Sequence, residues 1–354
     1  MYLTPPLVIG ILRIFPGLGP WGTITGLLIM CLALGLSSLS TSVPHLIATQ
    51  GVFYAVGGSI AYCPCILYLD QWFVRRKGLA YGIMWSGTGL AGVILPLLLQ
   101  SLLETTGFRT TLRIWTGVLF VMTAPLAYFV RPRLPLASAT HVRPWNLRFV
   151  ITRLFMLHQL ANIIEAMGYF LPAIYLPTFA NQALGASSFL AAMSVLLFNV
   201  ASVFGCVAMG FMTDRLHVTT CVLVSTVGAT LSVFCLWGFS SSLPVLYSFS
   251  AVYGLFAGSF TSTYPGVMKQ VTDQERRRGG VDPSMVFGCL AAGRGVGNIV
   301  SGPISEALVK GYPWKGKAAS GYGSGYGSLI VFTGITALLG GASYLWRRIG
   351  WLKD

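Results

Sequence analysis

Two ionisable residues, Arg294 and Glu165, lie inside long apolar stretches of the sequence. A charged side chain at the centre of a membrane helix costs about 2.5–3.5 kcal/mol on insertion scales, so such residues usually face a cavity or a partner. The planar guanidinium suits a carboxylate, and a glutamate can take up and release a proton. The two residues therefore predict either an anion-binding site with a proton site or a structural ion pair within one helical bundle.

The depth of both residues in their predicted helices favours a site near mid-membrane. Arg294 lies about 16 Å and Glu165 about 21 Å from the start of its helix, at 1.5 Å per residue. Tyr169 and Tyr175 follow on the Glu165 helix, and Asn298 lies one turn beyond Arg294. We expect these three to line a solute-binding cavity, with ordinary packing as the alternative. Tyr264 precedes a proline and marks either a broken helix near the pathway or a packing kink.

Composition identifies the class of protein that holds these residues. Of 354 residues, 55% are hydrophobic and 9% are charged, and the mean hydropathy is +0.73. Soluble domains are about 45–50% apolar and about 25% charged. Apolar runs of about 20 residues predict an all-α polytopic membrane protein, not a β-barrel. Ten spans are predicted, at about 20–41, 46–73, 78–103, 111–130, 151–179, 186–212, 218–238, 243–268, 284–308 and 327–346.

The loops between these spans differ in basic charge. Seventeen Lys and Arg residues fall on one side of the predicted membrane and five on the other. The side with seventeen should be cytoplasmic, and the C-terminus lies there. Topology thus accounts for the net charge of +14, and no nucleic-acid partner is expected. We predict a multi-pass protein of a lipid bilayer, in the plasma membrane rather than an organelle, that acts as a monomer.

A glycine pattern occurs twice and predicts two related halves. Gly87–Gly92 follows the basic cluster Arg75–Lys77, and Gly293–Gly297 follows Arg276–Arg278, 206 positions later. Such a parallel repeat indicates two pseudo-symmetric helical bundles. We place an incomplete N-terminal bundle at 1–130, a cytoplasmic linker at 131–150 and a C-terminal bundle of six helices at 151–354. The first pattern reads G-x-G-x-x-G, but it lies in an apolar helix, where small residues serve close helix packing.

Several motifs resemble one family in the expected order. The run Trp72–Gly82 is similar to the loop between the fourth and fifth helices of monocarboxylate-transporter-like members of the major facilitator superfamily. Gly168–Pro177 and Gly293–Pro303 resemble the seventh and eleventh helices of the fungal branch. Gly210–Arg215 reproduces half of the superfamily's G-x-x-x-D-R loop motif. The resemblance implies twelve helices in two bundles and solute transport.

The departures from the family pattern limit what the resemblance implies. By this alignment the chain is truncated at the N-terminus and begins inside the second helix, and its first cytoplasmic loop has no intact G-x-x-x-D-R. Ser202 and Cys206 stand where the animal carriers have an Asp and an Arg in the eighth helix. The resemblance therefore supports transport of a small organic solute, carboxylate-bearing or a secondary metabolite, without indicating lactate or pyruvate.

The resemblance also implies gating residues at the cytoplasmic face. Asp214 should lie at the N-terminus of the helix that starts near Gly78, where the helix dipole favours a negative charge, with Arg215 beside it. Asp70 should form a salt bridge with the cluster that contains Arg75 and Arg76. Asp282 is interpreted as a loop charge. The glycine- and serine-rich loop 311–327 reads as flexible, and no function is assigned to it.

The sequence contains no arrangement typical of an enzyme. Cys63 and Cys65 have no second ligand pair, so no metal site is expected, and a phosphate-binding loop or other cofactor motif is not found. The leading hypothesis is a secondary transporter that works by alternating access, with protons as a candidate coupling ion. The alternative is a transport-inactive remnant or a membrane sensor.

Overall fold

A computed structural model describes residues 1–133, 145–276 and 280–352 of the protein, and within these ranges the ordered elements are helices, with no β-strand. The middle of the predicted linker, 134–144, and the basic residues Arg277 and Arg278 lie outside the described ranges. The helices are α1 Pro5–Ile14, α2 Gly19–Ser37, α3 Val43–Leu46, α4 Tyr54–Trp72, α5 Lys77–Ala127, α6 Arg153–Tyr169, α7 Leu171–Leu184, α8 Ser188–Thr213, α9 Val218–Leu231, α10 Leu243–Ala257, α11 Tyr264–Glu275, α12 Pro283–Val309, α13 Gly327–Gly340 and α14 Ala342–Arg348.

Eight helical stretches of the described chain are long and apolar enough to cross a membrane. One of them, α5, has 51 residues and is interrupted at Gly107, whose φ of 74° is not helical, so it contains two of the predicted spans. Helix α12 has 27 residues but is less apolar, because it carries Arg294 and Asn298. The structure therefore supports an all-α, multi-pass membrane protein and follows the predicted order of spans.

Two predicted spans are broken into shorter helices. The predicted span 151–179 consists of α6 and α7, which meet at Phe170 just before Pro172. The predicted span 243–268 ends as α10 at Ala257, continues in a 3₁₀ turn at Phe260–Thr263, and restarts as α11 at Tyr264. Pro265 is the second residue of α11, where a missing backbone N–H leaves no helical hydrogen bond unmade. A real break therefore occurs at Tyr264, as one of the two sequence alternatives expected.

The described chain divides into two compact units whose bounds differ from the predicted halves. Unit 1 comprises Met1–Val74, Ile94–Leu147 and Glu275–Ala292, and unit 2 comprises Arg75–Val93, Arg148–Gln274 and Gly293–Asp354. The difference arises because α5 and α12 are each divided between the units. The first part of α5, up to Val93, belongs to unit 2, and the first part of α12, up to Ala292, belongs to unit 1. The division into 1–130, 131–150 and 151–354 stays a prediction.

Unit 1 is built on the close approach of α2 and α4. A Cβ at Gly26 would overlap the backbone of Ala61, and one at Gly57 would overlap the backbone around Gly26. Small residues thus let the two helix backbones touch, which is how membrane helices gain packing energy without a hydrophobic driving force. This contact holds together the two helices that precede the basic cluster Arg75–Lys77.

In unit 2, glycines of α12 bring its backbone against α6. A Cβ at Gly293 would overlap the side chain of Gln159, and one at Gly297 would overlap the Ile163 carbonyl. On α5, Gly89 and Gly92 are packed against Asn199 in the same way. The predicted role of the glycine pattern in close helix packing is confirmed at these four positions. For α12, it places Arg294 beside α6.

A cluster of buried aromatic rings lies in unit 2 between α7, α10 and the start of α13. Trp237 is fully buried and stacks on Phe249 with ring centroids 5.1 Å apart. Phe179 of α7 meets the edge of Trp237 at 6.1 Å and Tyr326 at 5.6 Å. These rings fix the ends of α7, α10 and α13 relative to one another, and thereby the helix that carries Tyr175.

Candidate functional site

Arg294 and Glu165 form a buried ion pair in unit 2. Nη1 of Arg294 lies 2.5 Å from Oε2 of Glu165. The exposed fractions are 1% for Arg294 and 4% for Glu165, so water does not screen the pair. The charge of the guanidinium is therefore balanced by a partner on a neighbouring helix, as the cost of burying a lone charge requires.

Aromatic rings surround the guanidinium of this pair. The Tyr169 ring lies 4.4 Å from the guanidinium carbon of Arg294, and the Phe260 ring lies 5.7 Å from it. Both distances are in the range of cation–π attraction. The hydroxyl of Tyr253 donates to the backbone carbonyl of Tyr169 at 3.2 Å. Three elements therefore position the arginine: α6, the end of α10 and the 3₁₀ turn that follows it.

The space beside the pair is small in this conformation. A cavity of about 10 Å³ is lined by Glu165, Tyr169, Tyr253, Thr226 and Thr333, among others. That volume suffices for about one water molecule. A solute does not fit here without movement of the helices, and the enclosure agrees with the structural ion pair that the sequence left open as the alternative.

A row of buried polar side chains continues from Glu165 along α6. Asn162 accepts a hydrogen bond from the hydroxyl of Tyr264 at 2.8 Å, and His158 Nε2 lies 3.1 Å from Gln270 Oε1. Both α6 residues are buried. Sequence reasoning missed Asn162, although positions 158, 162 and 165 have the spacing of a single helix face and offered that signal.

The other predicted solute residues divide between two places. Tyr169 contacts Arg294, whereas the hydroxyl of Tyr175 donates to Ser305 Oγ at 3.2 Å. Ser305 lies eleven residues beyond Arg294 on α12, about 16 Å along the helix. The Oδ1 atom of Asn298 is buried and has no hydrogen-bond partner among the described residues. The structure thus places Tyr169 at the ion pair, whereas Tyr175 lies beside the C-terminal part of α12, away from the ion pair.

The predicted contact of Asp214 with a helix start is present. Oδ1 accepts the backbone N–H of Gly78 at 2.6 Å, and Oδ2 accepts that of Leu79 at 2.8 Å. These are the first turns of α5, whose N–H groups have no partners within the helix. Arg215 is exposed, and its guanidinium lies 4.0 Å from the centre of the Phe211 ring.

The remaining predicted cytoplasmic residues lie at the junction of α4 and α5. Arg75 and Arg76 are exposed, and Asp70 is half-buried near the end of α4. The expected salt bridge of Asp70 with this cluster stays a prediction. The assignment of this face to the cytoplasm stays a prediction.

Asp282 lies in the loop before α12, as predicted, but it is a buried ion-pair partner, which the sequence did not predict. Its two carboxylate oxygens lie 2.8 and 2.6 Å from Nη2 and Nε of Arg13 in unit 1. Its Oδ1 also accepts the backbone N–H of Ser284 at 3.1 Å, and its exposed fraction is 5%. The sequence concealed this pair because its members lie 269 positions apart. A bidentate guanidinium–carboxylate pair joins the end of α1 to the start of α12.

The loop 311–327 has a fixed structure, where the sequence predicted a flexible one. The backbone N–H of Tyr322 donates to the Gly238 carbonyl at 3.1 Å, and its hydroxyl donates to the Phe234 carbonyl at 3.0 Å. The Tyr326 hydroxyl donates to Gln182 Oε1 at 2.8 Å. Burial raises the pKa of Tyr326 to about 12, so this hydroxyl keeps its proton at neutral pH. The hydrogen bonds of Tyr322 and Tyr326 hold this loop against the helices despite its high glycine content.

Metal ligation has no support in the described ranges. No group of three His, Cys, Asp or Glu side chains comes together there as metal ligands would. Cys63 and Cys65 are free thiols on α4.

Comparison with known proteins gives a match along most of the chain. A family model described as Major Facilitator Superfamily matches residues 17–277 and 160–352. "MFS-type transporter 1" of Ophiocordyceps sp. (strain BCC 1869) is 27% identical over 354 residues, which cover 97% of this chain and 72% of that protein. An "MFS-type transporter" of Gibberella moniliformis (strain M3125 / FGSC 7600) is 26% identical over 356 residues, covering 99% of this chain and 80% of that protein.

A further relative carries a more specific name. "Agnestins efflux protein AgnL12" of Paecilomyces divaricatus is 28% identical over 332 residues, which cover 92% of this chain and 70% of that protein. All three relatives are fungal and are named as transporters or an efflux protein, not as enzymes. The names agree with the predicted superfamily and with the prediction that the chain is not an enzyme.

Proposed function

Because the chain belongs to the Major Facilitator Superfamily, a family of membrane transporters, we propose that it is a secondary transporter that moves a small, carboxylate-bearing organic solute by alternating access. The observation that carries the proposal is the family match over residues 17–352 together with a guanidinium buried within a membrane helix. Ionisable residues at such depth mark substrate and ion pathways in membrane proteins. The place within the monocarboxylate-transporter-like branch remains part of this proposal.

We assign the solute carboxylate to Arg294 and the coupling proton to Glu165. In the described conformation the carboxylate of Glu165 accepts a hydrogen bond from Nη1 of Arg294. A proton on Glu165 would remove the charge that holds the guanidinium, and a solute carboxylate would replace it as the partner. Exchange of one anionic partner for another keeps the buried positive charge balanced at each step. Tyr169 would then form an aromatic wall of the pocket, with Asn298 one helical turn away.

The proposed direction is export, and one comparison supports it. A relative that covers 92% of this chain is named an efflux protein for agnestins. A secondary metabolite with a carboxylate or an acidic phenol carries an anionic group that would pair with the guanidinium of Arg294. The plasma membrane is the proposed location because export requires it.

We also propose that Asp214 is a gating residue at the cytoplasmic face. Its carboxylate holds two N–H groups at the start of α5, a contact favoured by the helix dipole. Release of this contact would free the start of α5 during the transport cycle. The proposed role of Arg215, Asp70, Arg75 and Arg76 is to stabilise the same face through charge.

The test is transport by the purified full chain reconstituted in proteoliposomes. Radiolabelled benzoate and hexanoate serve as aromatic and aliphatic carboxylate probes, with and without an imposed pH gradient. We expect saturable movement that a pH gradient accelerates and that Arg294→Ala and Arg294→Lys abolish, because lysine retains charge without the fork of donors. Arg109→Ala, an exposed arginine, is the matched control. Equal rates for the parent and both Arg294 variants would exclude the assigned solute contact.

The alternative, a transport-inactive membrane sensor, predicts a different result in the same experiment. A sensor would bind a carboxylate probe to the detergent-purified protein through Arg294 but would not move it across the vesicle membrane. Transport above that of empty vesicles therefore excludes this alternative.

A further inference from the structure

A cleft of about 640 Å³ lies in unit 2 where α7 ends and the loop 311–327 packs on the connection between α9 and α10. On the predicted topology this is the outer end of the protein. We call it the outer cleft and define it by the following lining residues: Phe179, Gln182, Ser241, Tyr312, Lys315 and Ser324. Its volume is within the range of about 300–1,000 Å³ found for small-molecule sites.

The loop that forms one wall of the outer cleft is held in a strained conformation. Three residues other than glycine have positive φ: Tyr312 at 49°, Trp314 at 68° and Ser320 at 53°. Such backbone is energetically costly and persists where surrounding contacts determine it, often at ligand sites. The aromatic anchors of Tyr322 and the bond from the Gly316 N–H to the Gly323 carbonyl, 3.0 Å, supply those contacts. Hydrogen bonds to neighbouring segments therefore hold this wall of the outer cleft in place.

The chemistry of the lining combines one cation, hydrogen-bonding groups and aromatic faces. The Lys315 ammonium lies 5.3 Å from the centre of the Tyr312 ring. Gln182 Oε1 accepts hydrogen bonds from the hydroxyls of Tyr326, at 2.8 Å, and Tyr312, at 3.4 Å. These bonds orient the Gln182 amide so that its NH₂ is the group left to donate. Among the described residues, no acidic side chain lines the outer cleft.

Packed aromatic rings connect the wall of the outer cleft to a predicted solute residue. The Tyr326 ring, which contacts Tyr312 at 6.1 Å, lies 6.2 Å from the ring of Tyr175 on the other side. Tyr175 in turn donates to Ser305 on α12, the helix of Arg294. Aromatic contacts thus lead from the outer cleft toward the interior of unit 2.

We propose that the outer cleft is a solute-binding site for aromatic carboxylates, in which Lys315 and the Gln182 amide hold the carboxylate and the ring of Tyr312 holds the aromatic part. The site is separate from the Arg294 pair and gives the solute a place at the outer mouth, before entry or after release. It rests on the proposed transport function for its role, and it narrows the solute from any carboxylate to one with a flat aromatic body. Aliphatic acids bind the same lysine but forgo the ring contacts.

The experiment is equilibrium dialysis of 2-naphthoate with the detergent-purified full chain, with 2-naphthamide as the neutral probe of the same shape. We expect Lys315→Gln to weaken 2-naphthoate binding by about three- to tenfold, since an exposed charge is partly screened. Gln182→Glu, which places a negative charge beside the carboxylate, should abolish it. Tyr312→Phe should bind like the parent and Tyr312→Ala should bind weakly. Binding of 2-naphthamide should be the same for the parent and Lys315→Gln.

Lys317→Gln is the matched control, because Lys317 is an exposed lysine of the same loop that does not line the outer cleft. Equal affinities for the Lys315→Gln and Lys317→Gln variants would overturn the proposal, as would loss of binding in Arg294→Ala, which leaves the outer cleft intact. The two proposals fail separately. Lysine-dependent binding without any vesicle transport refutes the transporter and leaves the binding site. Transport that depends on Arg294, with naphthoate binding indifferent to Lys315, refutes the outer cleft alone.

Discussion

Replacement of the Arg294–Glu165 pair by neutral side chains separates its contribution to stability from its contribution to transport. The three variants are Glu165→Gln, Arg294→Met and the double substitution. Each replacement approximates the volume of the residue it replaces, so that packing in the enclosed site changes little. The pair is almost completely buried, and solvent screening therefore does not reduce the effect.

The single substitutions should have unequal costs. Glu165→Gln leaves a guanidinium that cannot lose its proton in a buried site, and loss of one partner from such a pair costs about 3–5 kcal/mol. The Tyr169 ring 4.4 Å away contacts the guanidinium in both the parent and this variant, so it does not change the difference in stability between them. Arg294→Met should cost less, because the glutamate left behind can become neutral by taking up a proton. The double variant should lie within about 1 kcal/mol of the parent, because no lone charge remains.

The stability assay is reversible unfolding of the purified protein in mixed detergent micelles with increasing sodium dodecyl sulfate. The coupling energy of the double-mutant cycle is the quantity of interest. If the loss in the double variant equals the sum of the two single losses, the two side chains do not act as a pair and our energetic reasoning fails. Exposed Arg109→Ala should leave the unfolding midpoint unchanged.

The same double variant then tests function in proteoliposomes. A stable double variant that moves no benzoate supports solute binding at Arg294. A stable double variant with the parent's transport rate reduces the pair to a structural element of the bundle and contradicts the assigned solute contact. A single substitution cannot make this distinction, because a destabilised protein also loses transport.

Three further predictions concern helix contacts. Asp214→Asn should lose about 0.3–1 kcal/mol at the start of α5 and should raise the labelling rate of a cysteine introduced at Leu79, whose contact with Asp214 is made by the backbone N–H, whereas unchanged labelling would contradict the gating role. Arg13→Ala and Asp282→Ala should each lower the melting temperature, and the exchanged pair Arg13→Asp with Asp282→Arg should recover part of the loss. If nothing is recovered, the hydrogen bond from the Ser284 N–H to Asp282, not the ion pair, accounts for the stability. Gly297→Ala should destabilise the protein by about 1–3 kcal/mol through overpacking, whereas Gly87→Ala should not, because no neighbouring atom lies within 4 Å of a Cβ there, and equal melting temperatures would refute the close-packing argument.

Local properties of the chain were readable from the sequence because they depend on residues near one another. Runs of about 20 apolar residues define membrane helices whatever their partners are. The glycine pattern around Gly293 predicted a close helix contact. The helix partner of Asp214, 136 positions away, was implied only by the family resemblance of Gly210–Arg215. Arg294 and Glu165 were recognised as unusual because a charge in an apolar helix is costly in any fold.

Which side chains meet was decided only by the tertiary structure. Arg13 and Asp282 pair across 269 positions, and no local pattern distinguishes a buried loop charge from a solvated one. The loop 311–327 was misjudged because composition reports backbone freedom, whereas order there depends on Tyr322 and Tyr326 finding acceptors on other helices. By itself the sequence determined the membrane helices and the rare charges within them, since these follow from transfer free energies of single segments; the break at Phe170 was not predicted. The partners of those charges were settled by packing between distant segments, because an ion pair or hydrogen bond forms only where two helices bring complementary atoms within about 3 Å.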